Sequence, residues 1–237
     1  MEQQPFTPFT QNPFLADVAN QFAENPENRC ACVLLLDVSH SMSGEPLREL
    51  QDGLTAYRDS LAADSLARKR VEVAIVTFGG TVEIIQPFTT PDMFVAPTLV
   101  SKGDTPMAEA VITALDLVQQ RKNEYQTHGV GYYRPWIFLI TDGGPTDANT
   151  RQWPEAISRI ADGEAKKRFS FFAVGVEGAD FDRLSQLSKR EPLKLKGLAF
   201  RKLFEWLSSS QQAVSRSKPA DEVLLSSPTG PQGWASV

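Results

Sequence analysis

Two short stretches of the chain, Cys32–Leu36 (CVLLL) and Trp136–Ile140 (WIFLI), are apolar without a break. A strand with one wet face alternates apolar and polar side chains, so an unbroken apolar run of strand length has to be covered on both faces. The architecture that does this is a mostly parallel sheet between two layers of helices. Both runs fall far short of the roughly 18 apolar residues of a membrane span, so no crossing is expected.

The segments around these runs fit that architecture. From Pro46 to about Ala63, Leu47, Leu50, Leu54, Tyr57 and Leu61 recur at three- and four-residue spacing, a helix with Pro46 in its first turn. Val71–Phe78 (VEVAIVTF) is a second strand, and Gly79-Gly80 leads into Thr81–Phe88 as an antiparallel hairpin partner. Pro91–Gly103 reads as loop, and a second long helix opens at Thr105-Pro106 and runs to about Tyr125. Trp136–Thr141 is a central strand, Trp153–Lys167 a helix, Phe169–Val176 a strand and Phe181–Ser188 a short helix. Phe200–Ser215 closes the series, with Leu203, Phe204 and Leu207 on one face and Trp206 expected in packing.

The expected fold class is therefore α/β: a Rossmann-like, doubly wound, mostly parallel sheet with one antiparallel edge strand and helices on both faces. Residues 1–29, rich in Pro, Phe, Asn and Gln, read as an arm with Phe6, Phe9, Phe14 and Phe22 as anchors. Residues 30–215 read as the domain, and 216–237, punctuated by Pro, Gly and Ser, as a tail.

A chain of 237 residues suits one such domain, and 41% hydrophobic with 22% charged residues excludes wholesale disorder. The net charge of −5, from 24 Lys+Arg against 29 Asp+Glu, provides no global basic field to recruit nucleic acid. The clusters Arg68-Lys69-Arg70 and Lys166-Lys167-Arg168 read as helix C-terminal charges, with a weak nucleic-acid or acidic-protein contact as the other reading. Cys30 and Cys32 are spaced for neither a structural disulfide nor a zinc knuckle and read as small buried side chains. With no signal peptide visible in the sequence, the expected compartment is the reducing cytoplasm.

In doubly wound sheets, ligands bind beyond the carboxyl ends of the strands. Three segments fall on that edge. Asp37-Val38-Ser39-His40-Ser41 (D-x-S-x-S) follows the first strand, Gly103-Asp104-Thr105 precedes the second long helix, and Thr141-Asp142-Gly143-Gly144 follows the Trp136 strand. Together they offer the hydroxyls of Ser39, Ser41 and Thr105 and the carboxylates of Asp37 and Asp142. An all-oxygen set without sulfur or imidazole suits a hard cation, Mg²⁺ or Mn²⁺. A further coordination position on such an ion is a natural seat for a carboxylate from outside.

These three segments resemble the metal-ion-dependent adhesion site of von Willebrand factor A (VWA) domains. The resemblance implies that Ser39 and Ser41 ligate the metal directly, that Thr105 does so when a ligand is bound, and that Asp37 and Asp142 act largely through coordinated water. Two positions depart from the family pattern. His40 stands where glycine is usual, which raises the expectation of backbone strain. Asp104 replaces a common glycine and could, with Glu45 and Asp147, make the rim acidic; solvated loop carboxylates are the alternative reading. RCACVLLLDVSHSMSGEPLREL, GDTPMAEAV, IFLITDGGPTD and LKGLAFRKLFEWLSSSQQAVSRS are similar to the TerY/YegL-like, tellurite-resistance-associated branch. That likeness implies a bacterial cytoplasmic scaffold or regulator in a stress or defence response, with a PP2C-type phosphatase and a Ser/Thr kinase as partners.

Enzyme readings are weaker. No G-x-S-x-G elbow, Walker A or G-x-G-x-x-G motif occurs. The two histidines are His40, between two candidate ligands, and His128, in a polar loop. A metal-dependent phosphatase or hydrolase using Asp37 usually wants a second carboxylate two residues on, where this chain has Ser39. A structural domain with a silent metal site is the remaining alternative.

Overall fold

The computed structural model describes residues 22–230 and 233–236; Phe6, Phe9 and Phe14 of the expected arm lie outside them. The described strands are β1 (Cys30–Asp37), β2 (Val71–Gly79), β3 (Thr81–Thr89), β4 (Trp136–Thr141), β5 (Ser170–Gly175), β6 (Leu193–Leu195) and β7 (Ala235–Ser236). They form one sheet in the order β3-β2-β1-β4-β5-β6-β7. The pairs from β2 to β6 are parallel, and β3 and β7 are the antiparallel edges. The helices are α1 (Glu45–Ala63), α2 (Ala67–Arg70), α3 (Met107–Thr127), α4 (Gln152–Ala165), α5 (Phe181–Leu187) and α6 (Phe200–Arg216).

The continuous apolar run of β1 is split between two cores, as a strand covered on both faces requires. Leu34 and Leu36 point into the layer built by α1 and α6, with Leu50, Leu54, Leu203 and Phe204. Val33 and Leu35 point into the layer built by α3, α4 and α5, with Val111, Ile160 and Leu184. All eight residues of β1 are buried. Cys30 and Cys32 are free and buried there, and burial pushes both thiols up, Cys32 to about 12.

Helix ends depart from the sequence expectations by one or two residues, each for a local reason. The second long helix begins at Met107 because Thr105 is turned out of it, its carbonyl taking the Met107 N–H (2.8 Å). α4 stops at Ala165 because Lys167 takes a left-handed φ of 53°. Two strands are added to those expected. β6 has three residues and β7 two, too short for any periodicity to register. β7 belongs to the segment expected as tail. Trp234 beside it is buried, packs against Trp206 (ring centroids 5.8 Å apart) and gives its carbonyl to Lys196 N–H (3.0 Å). Trp206 packs on the core as expected, and its Nε1–H donates to the Ser226 carbonyl (2.7 Å).

The Arg68–Arg70 cluster stands at a helix end, as expected, and its last member is also an anchor. It forms most of α2, and Arg70 donates to Glu27 Oε2 (2.6 and 2.9 Å) and to the Ser215 carbonyl (2.6 Å). It thereby joins the segment before β1 to the end of α6. Close by, Glu72 interrupts the apolar pattern of β2 and is buried. It accepts Arg29 Nε (2.9 Å), Arg121 Nε (2.9 Å), Arg121 Nη2 (2.8 Å) and the Tyr125 hydroxyl. Phe22 covers the cluster, its ring 4.8 Å from the Arg121 guanidinium and 5.4 Å from that of Arg29.

Removing one partner of a buried ionic cluster leaves uncompensated charge and typically costs about 3–5 kcal/mol. Glu72→Gln, which keeps the shape, leaves buried Arg29 without its ion-pair partner and Arg121 with Glu124 alone (2.8 Å), and should lower the unfolding free energy by about that much in denaturant titration.

Candidate metal centre

β1 and β4 lie side by side in parallel register, from Cys32↔Trp136 to Leu36↔Ile140. From β1 the chain proceeds to β2 on one side, and β4 stands on the other. Their carboxyl ends therefore form the switch point of the sheet, where such folds bind ligands. Asp37 is the last residue of β1 and fully buried; Thr141 is the last of β4, and Asp142 follows it. Beyond Asp37 the chain makes a 3-10 turn, His40–Met42, anchored by the buried Met42. Ser39 and Ser41 flank its first residue. Thr105 reaches the same place from the loop before α3 and is only 5% exposed.

The five expected ligands are thus brought together. Ser39 N–H donates to Asp37 Oδ1 (2.8 Å), and the Thr141 hydroxyl donates to Asp37 Oδ2. Ser41 Oγ donates to Asp142 Oδ1 (2.7 Å) and stands 3.0 Å from Ser39 Oγ, so Ser39 is the donor of that second bond. Thr146 N–H donates to the Thr105 carbonyl (3.0 Å), tying the β4–α4 loop to the start of α3. The sequence reading missed Thr141, whose only signal was its place directly before Asp142.

Gly143 defines the space between these groups. A Cβ added there would lie 3.5 Å from Thr105 Oγ1, 3.6 Å from Ser41 Oγ and 4.0 Å from Asp37 Oδ2. Oxygens from the D-x-S-x-S turn and from the Thr105 loop therefore face one small space beside the β4–α4 loop that glycine leaves open. Burial raises the pKa of Asp37 above the usual carboxylate range; hydrogen bonds from Ser39 and Thr141 oppose the shift, and the nearby Asp142 adds to it. Burial raises Asp142 as well. Among the described residues, neither carboxylate has an ion-pair partner. Two carboxylates without a cationic partner and three hydroxyls, linked through Ser41 and facing the space beside Gly143, form a donor set that fits a hard divalent cation.

The family model of the von Willebrand factor type A domain matches residues 32–202. The chain belongs to this family. Among solved structures, the VWA chain is similar to the pilus adhesin SpaC from Lactobacillus rhamnosus GG (TM-score 0.62, 13% identity), covering 79% of this chain and 31% of that one. It is similar to BatB from Bacteroides thetaiotaomicron (TM-score 0.52, 18% identity), covering 78% of this chain and 99% of that one. It is also similar to proximal thread matrix protein 1 from the mussel byssus, solved with a zinc-occupied MIDAS motif (TM-score 0.50, 18% identity), covering 76% and 47%. The chain spans about half the length of the first solved structures it matches. No curated protein matches it. Among the described residues, no helix is long and apolar enough to cross a membrane.

Where this VWA chain departs from the family pattern, the structure corrects one expectation and divides another. His40 carries no left-handed strain: Ser39 leaves the strand at φ −62°, ψ 170° and the chain turns directly into the 3-10 helix. The positive φ falls on Gly44 instead (88°), just before α1. His40 clasps the neighbouring loop, its N–H donating to the Gly103 carbonyl (3.1 Å) and its Nε2 accepting from Gly103 N–H (3.1 Å). Gly103 (φ 60°) in turn packs against Gly80, where an added Cβ would come within 2.4 Å of the Gly80 Cα. The glycines of the β2–β3 turn thus let the Thr105 loop cross it closely. Of the three carboxylates expected on the rim, Asp104 and Glu45 are exposed. Asp147 instead accepts from the Glu109 N–H (3.1 Å) in the first turn of α3.

His40→Ala leaves the Gly103 N–H without its acceptor. The loss should lower stability by about 0.5–1 kcal/mol in denaturant unfolding, the net worth of an ordinary hydrogen bond.

Proposed function

We propose that the chain is a non-enzymatic module that binds a protein partner through a divalent cation held by Asp37, Ser39, Ser41, Thr105 and Asp142. The observation that carries this reading is the convergence of Asp37, Ser41 and Thr105 oxygens beside Gly143, with Ser39 and Asp142 hydrogen-bonded to Ser41 and two carboxylates that lack an ion-pair partner among the described residues. Mg²⁺ suits the all-oxygen set, with Mn²⁺ as the alternative. When bound, the cation would supply a coordination position for an Asp or Glu carboxylate of the partner.

The chain's own groups prepare that position. Asp37 is fixed through both carboxylate oxygens, so its lone pairs are aimed before any ligand arrives. The Ser39–Ser41–Asp142 chain of hydrogen bonds aligns two hydroxyls and a carboxylate along one wall. Thr105 arrives on a separate loop, held by Gly103 and Thr146, and makes the site sensitive to the position of α3. The serine hydroxyls are engaged with each other and with Asp142, and the His40 ring with Gly103, an arrangement that supports binding over nucleophilic catalysis. By the likeness of its motifs, we place the module in a bacterial cytoplasmic stress or defence system of the tellurite-resistance kind. A PP2C-type phosphatase and a Ser/Thr kinase are its proposed partners.

Thermal unfolding in EDTA, Mg²⁺ and Mn²⁺ tests the site. A cation at a hundred times its dissociation constant stabilises the native state by about 2.7 kcal/mol, or about 5–10 °C for a chain of this size. Asp37→Ala should abolish the rise.

Gly143→Ala offers a sharper check, because its methyl would meet the surrounding oxygens at ordinary contact distance. This variant should melt at the wild-type temperature in EDTA and show no response to metal. A full metal response in either variant would overturn the assignment.

A further inference from the structure

At the opposite pole of the sheet, where β4 and β5 begin, a groove of about 750 Å³ opens between the strand ends and the segment after α6. Lys122, Arg134, Lys167, Arg168 and Arg190 line it, beside Lys166, which pairs with Asp162 (2.5 Å). These cations come from α3, from the approach to β4, from the α4–β5 turn and from the loop after α5, so the fold gathers them from four separate parts of the chain.

Their pairing is incomplete. Arg168 pairs with Asp162 (3.2 Å) and Arg190 reaches Glu164 at 3.8 Å. Lys122, Arg134 and Lys167 form no ion pair among the described residues. Lys122 is only 9% exposed, and its recorded contact is the Arg168 carbonyl at 3.5 Å, the limit of a hydrogen bond. Arg134 donates to the backbone carbonyls of Phe169 (2.7 Å) and Glu164 (3.5 Å). Burial lowers the pKa of Lys122, and Arg168 adds to the shift. Burial also lowers that of Arg134, which Glu164 opposes and Arg190 reinforces. A buried ammonium beside a like charge, at the mouth of a groove lined with further cations, is stabilised by an anion from outside.

We propose that this groove is a second interaction surface that docks an acidic polypeptide segment, independently of the metal centre. Charge complementarity commits it to an anion, and two features favour peptide over nucleic acid. Single-stranded nucleic acid needs free aromatic faces for base stacking. Here the Phe172 ring is sandwiched between Phe138 (4.5 Å) and the Arg190 guanidinium (4.5 Å), Trp136 and Tyr133 are buried, and the half-buried Tyr132 packs against Tyr125 (5.3 Å). The far wall carries Asp221 and Glu222, which would repel a continuous phosphate backbone but can be bypassed by a short segment with spaced carboxylates. Guanidinium groups meet carboxylates bidentately, which suits Arg134 and Arg190 to Asp and Glu side chains.

The turn that presents Lys167 yields a variant that separates binding from folding. α4 ends in a Schellman arrangement: Arg168 N–H donates to the Gly163 carbonyl (2.8 Å) and Lys167 N–H to that of Glu164 (3.0 Å). Lys167 holds the left-handed position of the motif, where glycine is the favoured residue. Lys167→Gly therefore removes a charge from the groove while relieving backbone strain.

The test is fluorescence anisotropy of a labelled short Asp/Glu-rich peptide carrying one leucine, with the full chain. The peptide should bind in EDTA as well as in Mg²⁺, and binding should weaken as salt rises. Lys167→Gly should melt at a higher temperature than wild type yet bind more weakly. The exposed double charge reversal Lys167→Glu/Arg168→Glu should weaken binding by at least about tenfold with folding retained. Unchanged affinity in the double variant, or loss of binding in EDTA or in Asp37→Ala, would overturn the proposal. So would tighter binding of a single-stranded oligonucleotide of matched charge.

Discussion

The parallel pairing of β1 with β4 is the constraint on which the candidate site depends. It fixes Asp37 and Thr141 at adjacent strand ends, so that one hydroxyl donates to the carboxylate before any other part of the site is considered. That pairing holds because both strands are buried on both faces, between the α1–α6 layer and the α3–α4–α5 layer. A shift of β4 by one residue along β1 would exchange its two faces. Phe138 would leave one core for the other, and Asp142 would move away from Ser41. Packing energy spread over many side chains therefore positions a handful of polar atoms.

Most of this was legible in the sequence, and the reason is physical. The apolar runs CVLLL and WIFLI and the leucine spacing of α1 are consequences of burial, which writes itself into every residue of an element. The five candidate ligand positions were legible because each falls where an element begins or ends, at the sheet edge where such folds bind ligands. What was not legible depends on contacts between distant segments. Glu72 resembles an ordinary polar interruption of a strand until Arg29 and Arg121 are seen to converge on it from 43 and 49 residues away. Thr141 gave no signal beyond its neighbour. The clasp between His40 and Gly103 joins two loops and has no sequence period. β6 and β7 are too short to show alternation at all.

His40 shows how a departure from a family pattern can be compensated locally. Glycine at that place would leave the D-x-S-x-S turn without one of its side-chain ties to the facing loop, the other being the Ser101 hydroxyl on the Ser39 carbonyl (2.9 Å). Histidine adds a ring nitrogen that accepts from the facing loop while its own N–H donates to the same residue. The two loops that deliver Ser39, Ser41 and Thr105 are thereby linked twice through Gly103. Gly103 can approach that closely because neither it nor Gly80 carries a Cβ.

The fold also gives its two poles opposite electrostatic character. In a parallel sheet the helices on both faces begin near the carboxyl ends of the strands, so the positive ends of their dipoles face the metal centre. α1 begins three residues after Met42, the end of the 3-10 turn, and α3 begins two residues after Thr105. Those N-termini favour the ionised forms of Asp37 and Asp142, opposing the burial that raises both pKa values, and they would favour an incoming carboxylate as well. At the other pole α4 ends, and the carbonyls of Gly163 and Glu164 near its end accept the N–H groups of Arg168 and Lys167. A backbone field that favours carboxylates at one end of the sheet thus favours cations such as these at the other. Asp162 and Glu164 add to that field there, pairing with Arg168 and Arg190.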